Sequence, residues 1–176
     1  MARRSYKKFR RYYKKNHWSP NILALADTTL QAAQGSFSAT STLCTNPAVS
    51  STSISQPFTA KNFELNFTLE AASGAETLEG ITAYIMFVPQ GMNVNESYHT
   101  QHPEYILAYK YIGSPSVNQS TSETQQFQPT RIKSRLSRRL QTGDSIILYV
   151  QGYNSGSSGT QIMRLSGVIR YWTHAN

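Results

Sequence analysis

The chain has 176 residues and carries seventeen Lys and Arg against nine Asp and Glu, a formal charge of +8. That length suits one domain with an appended arm. The single cysteine, Cys44, excludes an internal disulfide framework, and no apolar run approaches the ~18 residues of a membrane-crossing helix.

The chain opens MARRSYKKFRRYYKKNHW. Residues 1–15 hold eight of the bases and no acid, whereas from residue 16 onward nine bases meet nine acids. The whole excess therefore lies in the arm, which points to a polyanionic partner for that segment. On a helix of ~100° per residue, the pairs Arg3-Arg4, Lys7-Lys8, Arg10-Arg11 and Lys14-Lys15 share an arc of roughly 160°. Tyr6, Phe9, Tyr12 and Tyr13 take the other side. Like charges one turn apart repel, and cations near a helix N-terminus oppose its dipole, so this helix is expected to form only on binding. The bases would neutralise phosphates, and the rings would stack on unpaired bases or pack on the body. Nothing in the pattern is a base-reading module, so binding is expected to be indifferent to sequence. The same run suits a nuclear-import signal, and a helix on an anionic membrane is a further alternative. The N-terminus lacks the apolar core of a signal peptide, so the sequons at Asn66, Asn95 and Asn118 are read as chance matches.

Ser19-Pro20 breaks the chain away from helix and sets the expected boundary between an arm, 1–20, and a folded domain, 21–176. "NILALADTTL" (21–30) and "SFSATSTLC" (36–44) are weak strand candidates. "NFELNFTLE" (62–70) is the clearest, with Phe63, Leu65, Phe67 and Leu69 alternating against Glu64, Asn66, Thr68 and Glu70. "ITAYIMFV" (81–88), "YILAYKYI" (105–112) and "SIILYV" (145–150) are short apolar runs bounded by turn residues, hence core or interface strands. "GMNVNESYHTQHP" (91–103) and "VNQSTSETQQFQP" (117–129) read as surface excursions. "YNSGSSGT" (153–160) reads as a loop to a last strand in which Met163, Leu165, Ile169 and Tyr171 oppose Arg164, Ser166 and Arg170. Seven or eight short strands without a βα repeat predict an all-β antiparallel sandwich of jelly-roll type.

A second basic cluster, "RIKSRLSRRLQTGD", holds Arg131, Lys133, Arg135, Arg138 and Arg139. A strand puts the first three on one face, whereas a helix aligns Ile132, Leu136 and Leu140; periodicity leaves both open. The cluster is read as a second phosphate-facing surface, against the alternative of a solvated edge strand guarded by charge. Tyr84, Tyr105, Tyr109, Tyr111, Tyr149, Tyr153, Tyr171 and Trp172 fall on predicted strands, most as core and some as anchors of subunit contacts.

Enzymatic signatures are thin: there is no phosphate loop and no nucleophile elbow. Cys44 has no activating context, and Asp144 after Gly143 reads as turn chemistry. His99 and His102, with Glu96 and Glu104, read as incidental loop residues, so no metal, no cofactor and no catalysis are expected.

The layout of a short Arg/Lys/Tyr-rich arm before one β-rich domain resembles the capsid proteins of circoviruses and circo-like viruses, which have small circular single-stranded DNA genomes. The similarity is strongest through "ITAYIMFVPQG", "HPEYILAYKYIGSP", "SRLSRRLQTGDSIILYV" and "SGVIRYWTHAN". The arm is shorter and richer in lysine than in those proteins. The resemblance implies a single eight-stranded jelly roll, sixty copies in a small icosahedral shell, and an arm turned inward on the genome. It also implies import into the host nucleus through residues 3–15, a place in the virion, and an unknown host-cell receptor met by the outer loops. A satellite-type RNA virus capsid and a non-viral β-sandwich with a polyanion-binding tail share the same features.

Overall fold

The computed structural model describes residues 17–47, 56–71, 78–114, 125–156 and 159–175. The helix expected for Arg3 to Lys15 lies outside the described residues, as does most of the excursion at 117–129.

Among the described residues nine strands form in chain order: β1 (Ser19–Ala32), β2 (Gly35–Thr45), β3 (Phe58–Ala71), β4 (Leu78–Val88), β5 (Ile106–Gly113), β6 (Gln125–Gln126), β7 (Thr130–Leu140), β8 (Ser145–Asn154) and β9 (Gln161–Ala175). Between β4 and β5 lie a short helix, α1 (Tyr98–Gln101), and a 3-10 turn (Pro103–Tyr105). β1 pairs with β9, β2 with β8, β3 with β7 and β4 with β5, all antiparallel. The first half of the chain thus runs out as a ribbon, and the second half returns alongside it. Further pairing of β3 with β9 and of β4 with β8 wraps that ribbon into two sheets. Sheet A has the order β1-β9-β3-β7, with β6 also on β3, and sheet B has the order β2-β8-β4-β5. This is a jelly roll. The eight strands expected become nine only through the two-residue β6.

The alternation of apolar and polar residues sets the layers. Phe63, Leu65, Phe67 and Leu69 of β3 are buried, as are Met163, Leu165 and Ile169 of β9, and they face Ile81, Ala83, Ile85, Ile146, Leu148 and Val150 of sheet B. Each fully buried large side chain contributes about 1.5–3 kcal/mol relative to exposure. Gly167 of β9 sits in this layer where a Cβ would come within 2.4 Å of the Asn66 carbonyl oxygen, so only glycine lets β9 and β3 approach this closely.

The corner between β7 and β8 is held by polar groups. Gly143 turns the chain with φ +87. The buried Asp144 carboxylate then accepts from the backbone N–H of Gln90 at 3.0 Å and of Gln141 at 2.7 Å. Asn46, also buried, donates from its side chain to the carbonyls of Gln56 and Leu140, both at 3.1 Å.

Two expectations need correction. The 91–103 segment is no simple surface excursion, because it lies on the outer face of sheet B. There Tyr98, only 1% exposed, joins Met86, Val88, Ile147 and Tyr149 in a second apolar cluster. The Tyr98 hydroxyl donates to the Phe87 carbonyl at 3.1 Å, and the Tyr149 hydroxyl lies 2.8 Å from the Glu96 carbonyl. Burial pushes both phenols up to about 12, so they stay protonated donors. Likewise Phe127, at the end of the second excursion, is buried, and its N–H donates to Leu69 at 2.9 Å. In the other direction, Tyr109 and Tyr111 of β5 are 68% and 64% exposed and belong to no core.

Candidate nucleic-acid interface

β7 is a strand, which settles the fold of the second basic cluster. Arg131, Lys133 and Arg135 point outward from sheet A, while Ile132 and Ser134 point in. The Ser134 hydroxyl donates to the Leu107 carbonyl at 2.8 Å. The register between β3 and β7 then slips, from Phe63 opposite Ser134 to Lys61 opposite Ser137, which marks a bulge around Arg135 and Leu136. Beyond the bulge Leu140 points in and Arg139 out.

The five cluster residues do not share one role. Arg131 donates to the Glu64 carboxylate, and the Lys133 ammonium lies 3.9 Å from the other oxygen of Glu64. The Arg131 hydrogen bond holds the Glu64 carboxyl below the usual carboxylate range, with the charges of Arg131 and Lys133 acting in the same direction. Arg138 turns away from the face. Its guanidinium donates to the Glu104 carbonyl and stands 6.0 Å from the Phe87 ring, so its place among phosphate-facing residues is withdrawn. Arg135 and Arg139 are exposed and have no ion-pair partner among the described residues.

Sheet pairing adds cations that lie far away in sequence. Glu64 is opposite Lys133 on one side and Arg170 on the other; Asn66 is opposite Arg131 and Val168; Glu70 is opposite Arg164. Lys61, opposite Trp172, sits 3.6 Å from the centre of the Trp18 ring. The outer face of sheet A therefore gathers Lys61, Arg131, Lys133, Arg135, Arg139, Arg164 and Arg170, against Glu64 and Glu70 among the described side chains. Seven of the nine bases that follow residue 16 stand on one face of one sheet. Arg164 and Arg170 share one side of β9 in the alternation, but only the register shows that this side continues the basic side of β7.

The second sheet is different. Its outward Tyr84 stacks with Tyr109 at 5.8 Å, and His99 of α1 lies 5.2 Å from Tyr84. Burial lowers the pKa of His99, partly offset by the Glu96 backbone. His102 faces Glu104 at 3.3 Å, and no three His, Cys, Asp or Glu side chains meet as a metal site among the described residues. Cys44 is buried, which pushes its thiol up to about 11.

No family model matches the chain, and no curated protein sequence matches it either. Among solved structures, a CocE/NonD family hydrolase from Staphylococcus aureus aligns over 90% of this chain and 37% of its own, at 10% identity and a TM-score of 0.44. Infectious bursal disease virus, Gx strain, aligns over 89% of this chain and 32% of the other, at 12% identity and a TM-score of 0.40. Turnip Yellow Mosaic Virus, as an empty head, aligns over 88% and 80%, at 17% identity and a TM-score of 0.36. The chain spans about a third of the length of the hydrolase and of the bursal disease virus protein. The expectation of a chain without enzymatic activity is corrected by these comparisons, in which hydrolases stand beside virus particles.

Proposed function

We propose that this chain is the capsid protein of a small virus with a circular single-stranded DNA genome, in which residues 1–20 form the arm and residues 21–176 the shell domain. Many copies, sixty in the simplest closed icosahedral shell, would enclose the genome. Arg3, Arg4, Lys7, Lys8, Arg10, Arg11, Lys14 and Lys15 would neutralise phosphates, and Tyr6, Phe9, Tyr12 and Tyr13 would stack on bases. Before assembly the same arm would carry the free protein into the host nucleus through an import receptor. The exposed loops would meet a host-cell receptor.

One observation carries this reading: positive charge is segregated twice over. The arm holds the whole net charge, and the body, neutral in sum, turns seven of its nine bases onto the outer face of sheet A. Such one-sided cationic density suppresses repulsion among packed phosphates and needs no base readout. Jelly rolls are a standing solution for viral shells, because two wrapped sheets leave few free edges.

Sedimentation of the full-length protein tests the proposal, with absorbance followed for both protein and nucleic acid. A fast, uniform boundary of a closed shell that carries nucleic acid is expected, and nuclease digestion then distinguishes DNA from RNA. A slow boundary of one to three subunits across salt and pH conditions would overturn the shell and leave a polyanion-binding β-sandwich.

A further inference from the structure

We propose that a cleft beside Trp172 on sheet A is a stacking site for one unpaired nucleobase, with Lys133 and Arg135 taking the flanking phosphates. This rests on the nucleic-acid reading above and narrows it to single strands at a defined position.

The cleft originates in the backbone. Asn62 has φ +55, a left-handed conformation that non-glycine residues adopt rarely, Asn among the least reluctant. At this residue β3 loses register with both neighbours at once. The pairing steps from Lys61 to Phe63 against β7 and from Lys61 to Glu64 against β9. Two ladders that slip at the same level leave a gap in the outer face of the sheet. The gap is a recess of about 440 Å³ bounded by Asn62, Glu64, Lys133, Arg135 and Trp172. That size falls within the ~300–1,000 Å³ of small-molecule sites, and bulges recur beside functional sites because they re-aim side chains.

The chemistry of the rim fits a nucleotide. Trp172 supplies a half-buried indole fixed on a strand, so little side-chain freedom remains to be lost on stacking. Arg135 supplies an exposed guanidinium without an ion-pair partner among the described residues, and Lys133 shares Glu64 with Arg131 only at 3.9 Å. An aromatic face in a cationic groove is the arrangement that holds single strands without regard to sequence, since every base offers a π-face. A duplex keeps those faces inside its own stack and cannot enter. The arm also reaches the body at this corner: Ser19 is opposite Thr173, and Pro20 is opposite Trp172. Phosphates gathered by the arm are thereby delivered beside the recess. A second hollow of about 360 Å³, lined by Asn66, Thr68, Arg131 and Ser166, lies farther along β3, so a strand laid along β3 crosses both.

The chain has two tryptophans, which makes the site directly observable. In full-length Trp18→Phe protein, Trp172 is the sole tryptophan reporter. Its emission is expected to be quenched by a short oligothymidylate and unchanged by an abasic deoxyribose-phosphate strand of equal length and charge. Trp172→Leu should weaken oligothymidylate binding roughly 5- to 150-fold, as loss of one stacked base does, and leave abasic binding unchanged. Trp172→Phe should restore most of the difference and also control for folding. If both strands bind equally and neither quenches Trp172, the stacking site is overturned while the phosphate-binding reading survives. If neither strand binds at all, both readings fall.

Discussion

The outer faces of the two sheets are built from the same kind of strand and do opposite things. On sheet B the outward ring of Tyr149 is roofed by the 91–103 segment, and together with Tyr98 it forms a second core. On sheet A the outward residues stay uncovered, and most of the body's cations collect there beside the exposed Ile22, Ile162 and Val168. A jelly roll needs only the layer between its sheets to fold. What lies on its outer faces is free to be spent on stability on one side and on binding on the other. This division predicts that substitutions on one face change stability and spare binding, and that substitutions on the other do the reverse.

The largest stability effect is expected on sheet B. Tyr98→Ala removes a ring that is 1% exposed, together with its hydrogen bond to Phe87. It should cost about 3–5 kcal/mol in denaturant unfolding without altering nucleic-acid binding of the protein that remains folded. A cost below about 1 kcal/mol would mean that the roof is not part of the core.

Next in size is binding on the other side. If the eight arm bases meet phosphates, the log–log salt slope for single-stranded DNA is roughly −5.6, at about 0.7 per contact. Changing Arg135, Arg139, Arg164 and Arg170 together to Gln should remove up to about 2.8 from the total slope, with each change moving stability by no more than about 0.5 kcal/mol. A slope unaffected by the four changes would confine phosphate binding to the arm.

Glu64 gives a smaller, pH-dependent effect. Arg131 holds its pKa below the ordinary 4.5, so the carboxylate stays charged at neutral pH and neutralises two cations of the face. As pH falls through the depressed folded value, protonation releases Arg131 and Lys133, and affinity for DNA should rise. The stabilisation from the ion pair, present above the unfolded pKa, is lost over the same fall. Glu64→Gln should show the higher affinity already at neutral pH and should flatten the acidic rise; titrating binding of both proteins distinguishes them.

The smallest effect belongs to His99. Burial against Tyr84 and Tyr149 depresses its pKa below the ordinary 6.5, so the unfolded chain takes up a proton before the folded one does. Stability should decline slightly as pH falls below that value and level off below the folded pKa. His99→Gln should remove this decline in thermal unfolding measured across pH.

How much of this was legible beforehand depended on how far apart the cooperating residues lie. β3 announced itself, because Phe63, Leu65, Phe67 and Leu69 keep strict alternation and all are buried. β7 was ambiguous for a definite reason: Ile132, Leu136 and Leu140 match a helical stripe, but a bulge shifts the alternation and leaves Leu136 53% exposed. The 91–103 roof was missed because it offers few large apolar residues, and a single tyrosine does most of its burying. The basic face was half visible. Arg131, Lys133 and Arg135 stand in one run, but Arg164, Arg170 and Trp172 join them only through the pairing of β3 with both β7 and β9. No local pattern encodes that register.

The nested pairing also sets an order in time. β9 is the strand that β1 pairs with in sheet A, whereas β3 also pairs with β7, so β1 lacks a sheet A neighbour until β9 has left the ribosome. More than a hundred residues separate β1 from β9. At roughly 5–20 residues per second, the wait lasts on the order of 6–26 s. Throughout it the basic residues 3–15 are already made while the domain that follows them is unfinished. On the proposed reading, single strands of nucleic acid would therefore be able to engage this chain before it has a fold.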